Sequence, residues 1–217
     1  MRKLHLLLIL SLTFIAGADL NARTRGQNHS RMESCHNERM HHSDKAKNHR
    51  RHCRPTYFVD SNGAYFNGHA IKDASPSSFK ILEDYYAKDS WNVYYRGKKV
   101  HDATSGSFHV VGDGYAKDSW NVYFCGHKIA DASSGSFKIL KDGYAKDSWN
   151  VYFDGKAVKD ASPGSFRVLP DGYAKDTWNV YFDGMKIPGA TSGNFKVMKD
   201  GYAKDSWNTY YMGRKVN

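Results

Sequence analysis

The sequence repeats itself every 29 residues over most of its length. All five tryptophans lie on this period, and one phenylalanine and one glycine recur with them. The members are Trp91, Trp120, Trp149, Trp178 and Trp207; Phe79, Phe108, Phe137, Phe166 and Phe195; and Gly68, Gly97, Gly126, Gly155, Gly184 and Gly213. A strict period without insertions predicts a repeat architecture in which each copy packs on its neighbours.

A further copy begins at Tyr57, one period before Tyr86, and reads YFVDSNGAYFNG. Asn62 stands in this copy where the others have tryptophan. We therefore predict six repeats over residues 57–217, of which the first is degenerate.

Turn residues divide each copy into very short segments. Asp142-Gly143 and Asp154-Gly155 favour two-residue hairpin turns because glycine accepts a positive φ. A third turn is predicted at Asp147–Asn150, where the Asp and Asn side chains can bond their own backbone. In the equivalent segment Asp118–Asn121, this turn accounts for the polar residues better than a calcium loop does. The segments between the turns are rich in Val, Tyr and Phe and suit strands. Each copy is therefore predicted to be a small antiparallel β-meander.

One meander of this size cannot bury enough surface to be stable alone, so the copies must stack. We predict an all-β fold of six tandem hairpin or meander repeats in an open, solenoid-like stack. A small β-propeller is the alternative, although propeller blades are usually longer, at about 40–50 residues.

The first 18 residues have the features of an export signal. Arg2 and Lys3 precede the apolar run Leu6–Ala18, which ends in the small residues Ala-Gly-Ala. We predict cleavage after Ala18 and a mature chain without a transmembrane span, because the run is shorter than the roughly 20 residues that a spanning helix needs. The predicted location is secreted, periplasmic or at the cell envelope.

Residues 19–56 are predicted to form a basic, histidine-rich, disordered linker. From Arg23 to Arg54 there are nine Lys/Arg and three Asp/Glu, whereas residues 55–217 hold 21 and 18, respectively. Since the repeats are nearly balanced in charge, the basic composition does not indicate a nucleic-acid partner. The linker holds weak candidate metal ligands, namely Cys35, His36, His41, His42, His49, His52 and Cys53. A Cys35–Cys53 disulfide is the other candidate, because exported cysteines commonly pair.

Two aromatic rows are the candidate ligand-binding residues. The tryptophans either cover the gap between neighbouring copies, which explains the repetition without a ligand and is the favoured interpretation, or form a ladder that stacks on sugars. The strand Val122–Phe124 alternates, so we expect Tyr123 to face outward and Val122 and Phe124 inward. The tyrosine row consists of Tyr94, Tyr123, Tyr152, Tyr181 and Tyr210.

The repeat phrase resembles that of the DKNYY repeat family of exported bacterial proteins. Asp89, Asn92, Val93, Tyr94, Tyr95 and Gly97 fall on the family phrase, and Asp102 and Phe108 on its connector. Ser90-Trp91 departs from the Lys-Asn that the family more often has there. The resemblance implies repeated β-structure and export, in a family without an established enzymatic activity.

From these features we predict a non-enzymatic repeat scaffold that presents an extended surface to a protein or glycan at the cell envelope, without a cofactor. The alternative is a carbohydrate-binding module that uses the Trp/Tyr ladder. Acidic residues recur identically in every copy, whereas catalysis normally needs one asymmetric pocket. Cys125 is predicted to be an exposed turn thiol that can link two chains as a disulfide dimer.

Overall fold

The chain folds into short β-strands joined by tight turns, in a computed structural model that describes residues 56–216. The strands are two to four residues long because turn residues interrupt the sequence so often. Three single 3₁₀ turns, Pro76–Ser78, Ser105–Ser107 and Ser134–Ser136, are the only helical elements among the described residues. The predicted all-β class is confirmed.

The 23 strands occur in the following order: β1 (Tyr57–Val59), β2 (Ala64–Phe66), β3 (His69–Ala70), β4 (Lys80–Ile81), β5 (Tyr86–Lys88), β6 (Val93–Tyr95), β7 (Lys98–Lys99), β8 (His109–Gly112), β9 (Tyr115–Lys117), β10 (Val122–Phe124), β11 (His127–Lys128), β12 (Lys138–Ile139), β13 (Tyr144–Lys146), β14 (Val151–Phe153), β15 (Lys156–Ala157), β16 (Arg167–Val168), β17 (Tyr173–Lys175), β18 (Val180–Phe182), β19 (Met185–Lys186), β20 (Lys196–Val197), β21 (Tyr202–Lys204), β22 (Thr209–Tyr211) and β23 (Arg214–Lys215).

These strands form six antiparallel meanders that follow one another along the chain: β1–β3, β4–β7, β8–β11, β12–β15, β16–β19 and β20–β23. Each four-stranded sheet takes its first strand from the end of the preceding copy. In the fourth sheet, for example, β12 pairs with β13 through Lys138↔Lys146 and Ile139↔Ala145. The first sheet has three strands among the described residues.

The Asp-Gly pairs form the predicted hairpin turns. Asp154 and Gly155, between β14 and β15, have φ values of 47° and 75°. Asp142 and Gly143, between β12 and β13, have φ values of 55° and 81°, and the Tyr144 N–H closes that turn on the Lys141 carbonyl at 3.0 Å. Two consecutive positive φ angles define the type I′ turn, whose twist matches that of the strands it joins.

Adjacent copies are joined by a tyrosine hydroxyl that bonds the backbone of the next copy. The Tyr115 hydroxyl donates to the Gly143 carbonyl at 3.4 Å and accepts from the Gly155 N–H at 2.9 Å. A Cβ on Gly155 would lie 2.6 Å from the Cβ of Phe124, so only glycine allows this approach. The glycine–hydroxyl bond recurs from Tyr57, Tyr86, Tyr144 and Tyr173 to the copies that follow them.

The periodic phenylalanine completes each junction. It ends the connector, the segment that joins the last strand of one sheet to the first strand of the next. The Phe137 ring lies 5.3 Å from that of Tyr115 and 5.9 Å from that of Tyr152, between two successive copies. Tilted rings at this separation are favourable and bury a large apolar area. The core is therefore a series of aromatic layers between sheets.

The same contacts recur along the chain, so the copies stack in sequence order, and no described sheet closes into a barrel. The predicted open, solenoid-like stack is confirmed. Within residues 56–216 there is no helix of the length and hydrophobicity needed to cross a membrane.

Candidate binding surface

The five tryptophans lie at the tips of the hairpins between the second and third strands of their sheets. Their side chains are 76–82% exposed, although tryptophan is usually one of the more buried residues. None of them makes a ring or cation–π contact with another described residue. The favoured interpretation, in which each tryptophan covers the gap between copies, is therefore wrong. We call Trp91, Trp120, Trp149, Trp178 and Trp207 the tryptophan row.

A buried aspartate fixes the backbone of each tryptophan turn. In the fourth sheet, Asp147 Oδ1 accepts from the N–H groups of Trp149 and Asn150, both at 2.7 Å. Its Oδ2 accepts from the Ser133 N–H and from the Tyr152 hydroxyl, both at 2.8 Å. One carboxylate thus ties the hairpin tip, its third strand and the preceding connector together. The turn aspartates with this bonding are Asp89, Asp118, Asp147, Asp176 and Asp205.

This bonding keeps the turn aspartates ionised. Burial alone would raise the pKa of Asp147, but the N–H groups of Ser133, Asn150 and Trp149 and the Tyr152 hydroxyl bind its charged form and hold the pKa below the ordinary value. The same causes lower the pKa of Asp205 to about 2. A carboxylate that is already bonded to four donors has little capacity left for a ligand or for acid–base chemistry.

The tyrosine row is buried, which corrects the expectation that it faces outward. Tyr94, Tyr123, Tyr152, Tyr181 and Tyr210 are all 0% exposed. Alternation along β10 does place Tyr123 opposite Val122 and Phe124, but neighbouring sheets cover both faces, so all three side chains are buried. The hydroxyls donate to the turn aspartates, and burial followed by this bond raises the pKa of Tyr152. These tyrosines belong to the core and not to a ligand-binding surface.

The connector of the preceding copy lies beside each hairpin tip. The Ser136 hydroxyl accepts from the Ser148 N–H at 3.1 Å, one residue before Trp149. Equivalent bonds run to the hydroxyls of Ser78, Ser107 and Ser165. Their donors are the N–H groups of the residues directly before Trp91, Trp120 and Trp178. Each tryptophan is thus placed next to a polar, hydroxyl-bearing segment.

A basic residue follows each of these connectors and was not among the candidates drawn from the sequence. These basic edge residues, all exposed, are Lys80, His109, Lys138, Arg167 and Lys196. The sequence does contain the signal, because each follows directly on the periodic phenylalanine. In the fifth sheet, Arg167 borders a groove of about 300 Å³. The groove is lined by Ser165, Arg167, Lys175, Asp176, Thr177, Ser192 and Gly193.

The cysteine predictions concern Cys125 in the repeats and Cys35 and Cys53 in the linker. Cys125 has a φ of 48° and is only 3% exposed, so the prediction that it is an exposed turn thiol is wrong. The structure therefore gives no support to an exposed free thiol that links two chains. The predicted metal ligands and the predicted Cys35–Cys53 disulfide lie outside the described residues. Within residues 56–216, no group of three or more His, Cys, Asp or Glu side chains is arranged to hold a metal ion.

Comparison with known proteins agrees with the repeat phrase. The sequence model of the DKNYY family matches residues 57–114 and 115–217, which together span most of the chain. No curated protein and no solved structure matches the chain.

Proposed function

The chain belongs to the DKNYY family, and from that premise we propose that it is an exported, non-enzymatic repeat scaffold whose tryptophan row binds a polysaccharide at the cell envelope. The observation that carries the proposal is the 76–82% exposure of five tryptophans at equivalent positions. Large apolar rings left in water are unfavourable unless a partner covers them. Flat sugar faces are suitable partners for such rings.

The first copy supports the view that the fold does not need these rings. Asn62 occupies the tryptophan position there, yet Asp60 Oδ1 still accepts from the N–H groups of Asn62 and Gly63 at 2.8 and 2.9 Å. The turn therefore depends on its aspartate and not on the residue at the tip. A role outside the fold accounts better for tryptophan in the other five copies.

The repetition favours an extended polymer as the ligand. Sheets stacked face to face lie about 10 Å apart, so neighbouring tryptophans are reached by one long molecule. Stacking on a single exposed ring is weak, but several linked sites raise the overall affinity by factors of about 10²–10⁴. A row of equal, weak sites fits a chain-like ligand better than a compact one.

Two further parts of the proposal rest on the sequence and on the turn aspartates. Export follows from the apolar run and small-residue site in residues 1–18, and mass spectrometry of the secreted protein should find Ala18 removed and Asp19 at the N-terminus. A non-enzymatic role is supported by the turn aspartates, because each recurs in the same bonded state in copy after copy.

Replacing Trp120, Trp149 and Trp178 together with alanine tests the proposal. We expect unchanged circular dichroism and melting temperature, because these rings contribute little packing, but loss of binding on an array of purified polysaccharides. The matched control replaces three exposed apolar residues elsewhere, Phe58, Met185 and Met198, with alanine and should keep binding. Collapse of the fold in the tryptophan variant, or equal binding by both variants, contradicts the proposal. Binding to surface proteins but to no polysaccharide identifies a protein partner instead.

A further inference from the structure

The basic edge residues stand in an electrostatically unfavourable arrangement. Lys138 lies directly opposite Lys146 in the register of β12 and β13, and Arg167 lies opposite Lys175 in the next sheet. The other full sheets have Lys80↔Lys88, His109↔Lys117 and Lys196↔Lys204. Like charges at directly opposed positions destabilise a sheet. Four repetitions of this cost, each between two Lys or Arg residues, call for a compensating interaction.

In four of the five pairs, the lysine on the second strand of the sheet has a partner inside the fold. Lys146 Nζ donates to the Pro163 carbonyl of the next connector at 2.7 Å, and Lys88, Lys117 and Lys175 bond connectors in the same way. Burial, and then the charge of Lys80, lowers the pKa of Lys88. The opposing edge residues are exposed, and no carboxylate of the described residues forms an ion pair with Lys80, Lys138, Arg167 or Lys196.

The basic edge residues lie at the same end of the sheets as the tryptophan row. Lys138 is two residues beyond Ser136, whose hydroxyl holds the N–H of Ser148 beside Trp149. The exposed carboxylates of the Asp-Gly turns, such as Asp142, lie at the opposite end, because β13 runs from that turn toward Trp149. Each basic edge residue thus lies at the tryptophan end of its sheet. Exposed aspartates such as Asp102 and Asp160 lie at this end too, because their carbonyls accept from the side chains of Asn121 and Asn179.

The groove in the fifth sheet shows the chemistry of this end. Arg167 and Lys175 line it together with the hydroxyl-bearing Ser165 and Thr177. The one carboxylate in its lining, Asp176, already accepts from three backbone N–H groups and the Tyr181 hydroxyl. The groove thus offers cations and hydroxyl groups next to Trp178, and its only anion is already satisfied.

We propose that the ligand of the tryptophan row is an acidic polysaccharide, with sugar rings on the tryptophans and carboxylate, sulfate or phosphate groups on the basic edge residues. This inference rests on the proposed function and adds the charge of the ligand to it. Anionic groups at these positions would offset the repulsion between the paired cations. Because the pairs recur once per copy, an anionic polymer can engage several of them at once.

Two variants of the full chain separate this contribution from net charge. The test variant carries Lys80→Gln, Lys138→Gln and Lys196→Gln, and the control carries Lys98→Gln, Lys128→Gln and Lys215→Gln on the last strands of their sheets, at the opposite edge. The two variants lose the same three charges. The probes are polygalacturonate and its fully methyl-esterified form, which share one backbone and differ in charge.

We expect wild type and control to bind polygalacturonate more tightly than the ester. The test variant should lose about tenfold in affinity for polygalacturonate, as expected for three exposed ion pairs, and none for the ester. Equal affinity of the wild type for both polymers overturns the acidic assignment while leaving the tryptophan surface intact. Binding of neither polymer overturns both proposals, and equally tight binding of single-stranded DNA overturns the assignment to a sugar.

Discussion

The substitution Asp147→Asn tests whether the turn aspartates hold the repeat together. Asparagine keeps Oδ1 and its bonds to the Trp149 and Asn150 N–H groups, but it replaces Oδ2 with an amide nitrogen. That nitrogen would face the Ser133 N–H across 2.8 Å, which sets one donor against another. The Tyr152 hydroxyl can rotate and accept from the amide, so part of one bond is recovered.

The expected cost follows from the two bonds that Oδ2 makes. Each hydrogen bond to a charged group contributes about 1.5–3 kcal/mol, and a buried donor without an acceptor costs about 1–3 kcal/mol. With the tyrosine bond partly restored, we expect Asp147→Asn to lower the free energy of unfolding by about 3 kcal/mol. The substitution Tyr152→Phe removes only one of these bonds and should cost about 1.5–3 kcal/mol.

Urea unfolding followed by far-UV circular dichroism is the suitable assay, since exposed tryptophans report poorly on burial. The matched control is Asp142→Asn, five residues earlier, where an exposed turn aspartate is replaced and the change should stay within about 0.5 kcal/mol. The reasoning fails if the loss in free energy of unfolding for Asp147→Asn exceeds that of this control by less than about 1 kcal/mol, at an unchanged denaturant slope.

Three further predictions concern acid, glycine and tyrosine. The turn aspartates have lower pKa values in the folded than in the unfolded chain. The stability that they contribute is therefore complete above about pH 5 and is lost as the pH falls toward about 2. Urea titrations between these limits should show that loss, and a stability that does not change with pH would contradict it. Gly155→Ala should destabilise the fold by at least about 2 kcal/mol, because the new Cβ meets Phe124. Gly68→Ala, at a similar φ with nothing within 4 Å, should cost only about 1 kcal/mol. Equal losses in melting experiments would refute the close packing of Gly155 on Phe124. Tyr144→Phe should cost about 1 kcal/mol through its bond to Gly184, while Tyr202→Phe, whose hydroxyl has no described partner, should leave the urea midpoint unchanged.

The turns and strands could be predicted from the sequence because their causes are local. Asp-Gly pairs select the type I′ geometry through backbone sterics alone, and the 29-residue period places each turn in every copy. Stacking followed from the small size of one meander. These inferences needed no knowledge of what lies beyond a single copy and its neighbour.

Which side chains are buried could not be predicted, because burial depends on what packs against each face of a strand. Alternation places Tyr123 on the side opposite Val122, but it does not tell whether one or both sides are covered. A parallel argument applies to Trp149: its position in the turn was visible, yet its exposure depends on the connector and Asp147 lying beneath the tip. A signal for the buried tyrosine did exist, since Asp147 and Tyr152 recur five residues apart in each full copy and bond each other.

The junction between copies has a consequence for how the gene can change. It consists of a tyrosine hydroxyl, a glycine N–H and the space left by a missing side chain, as at Tyr115 and Gly155. Since every copy carries both halves, an in-frame duplication or loss of one whole copy by recombination leaves each remaining contact chemically unchanged. The array can therefore lengthen or shorten, and gain or lose tryptophans at its surface, without a single compensating substitution in the core.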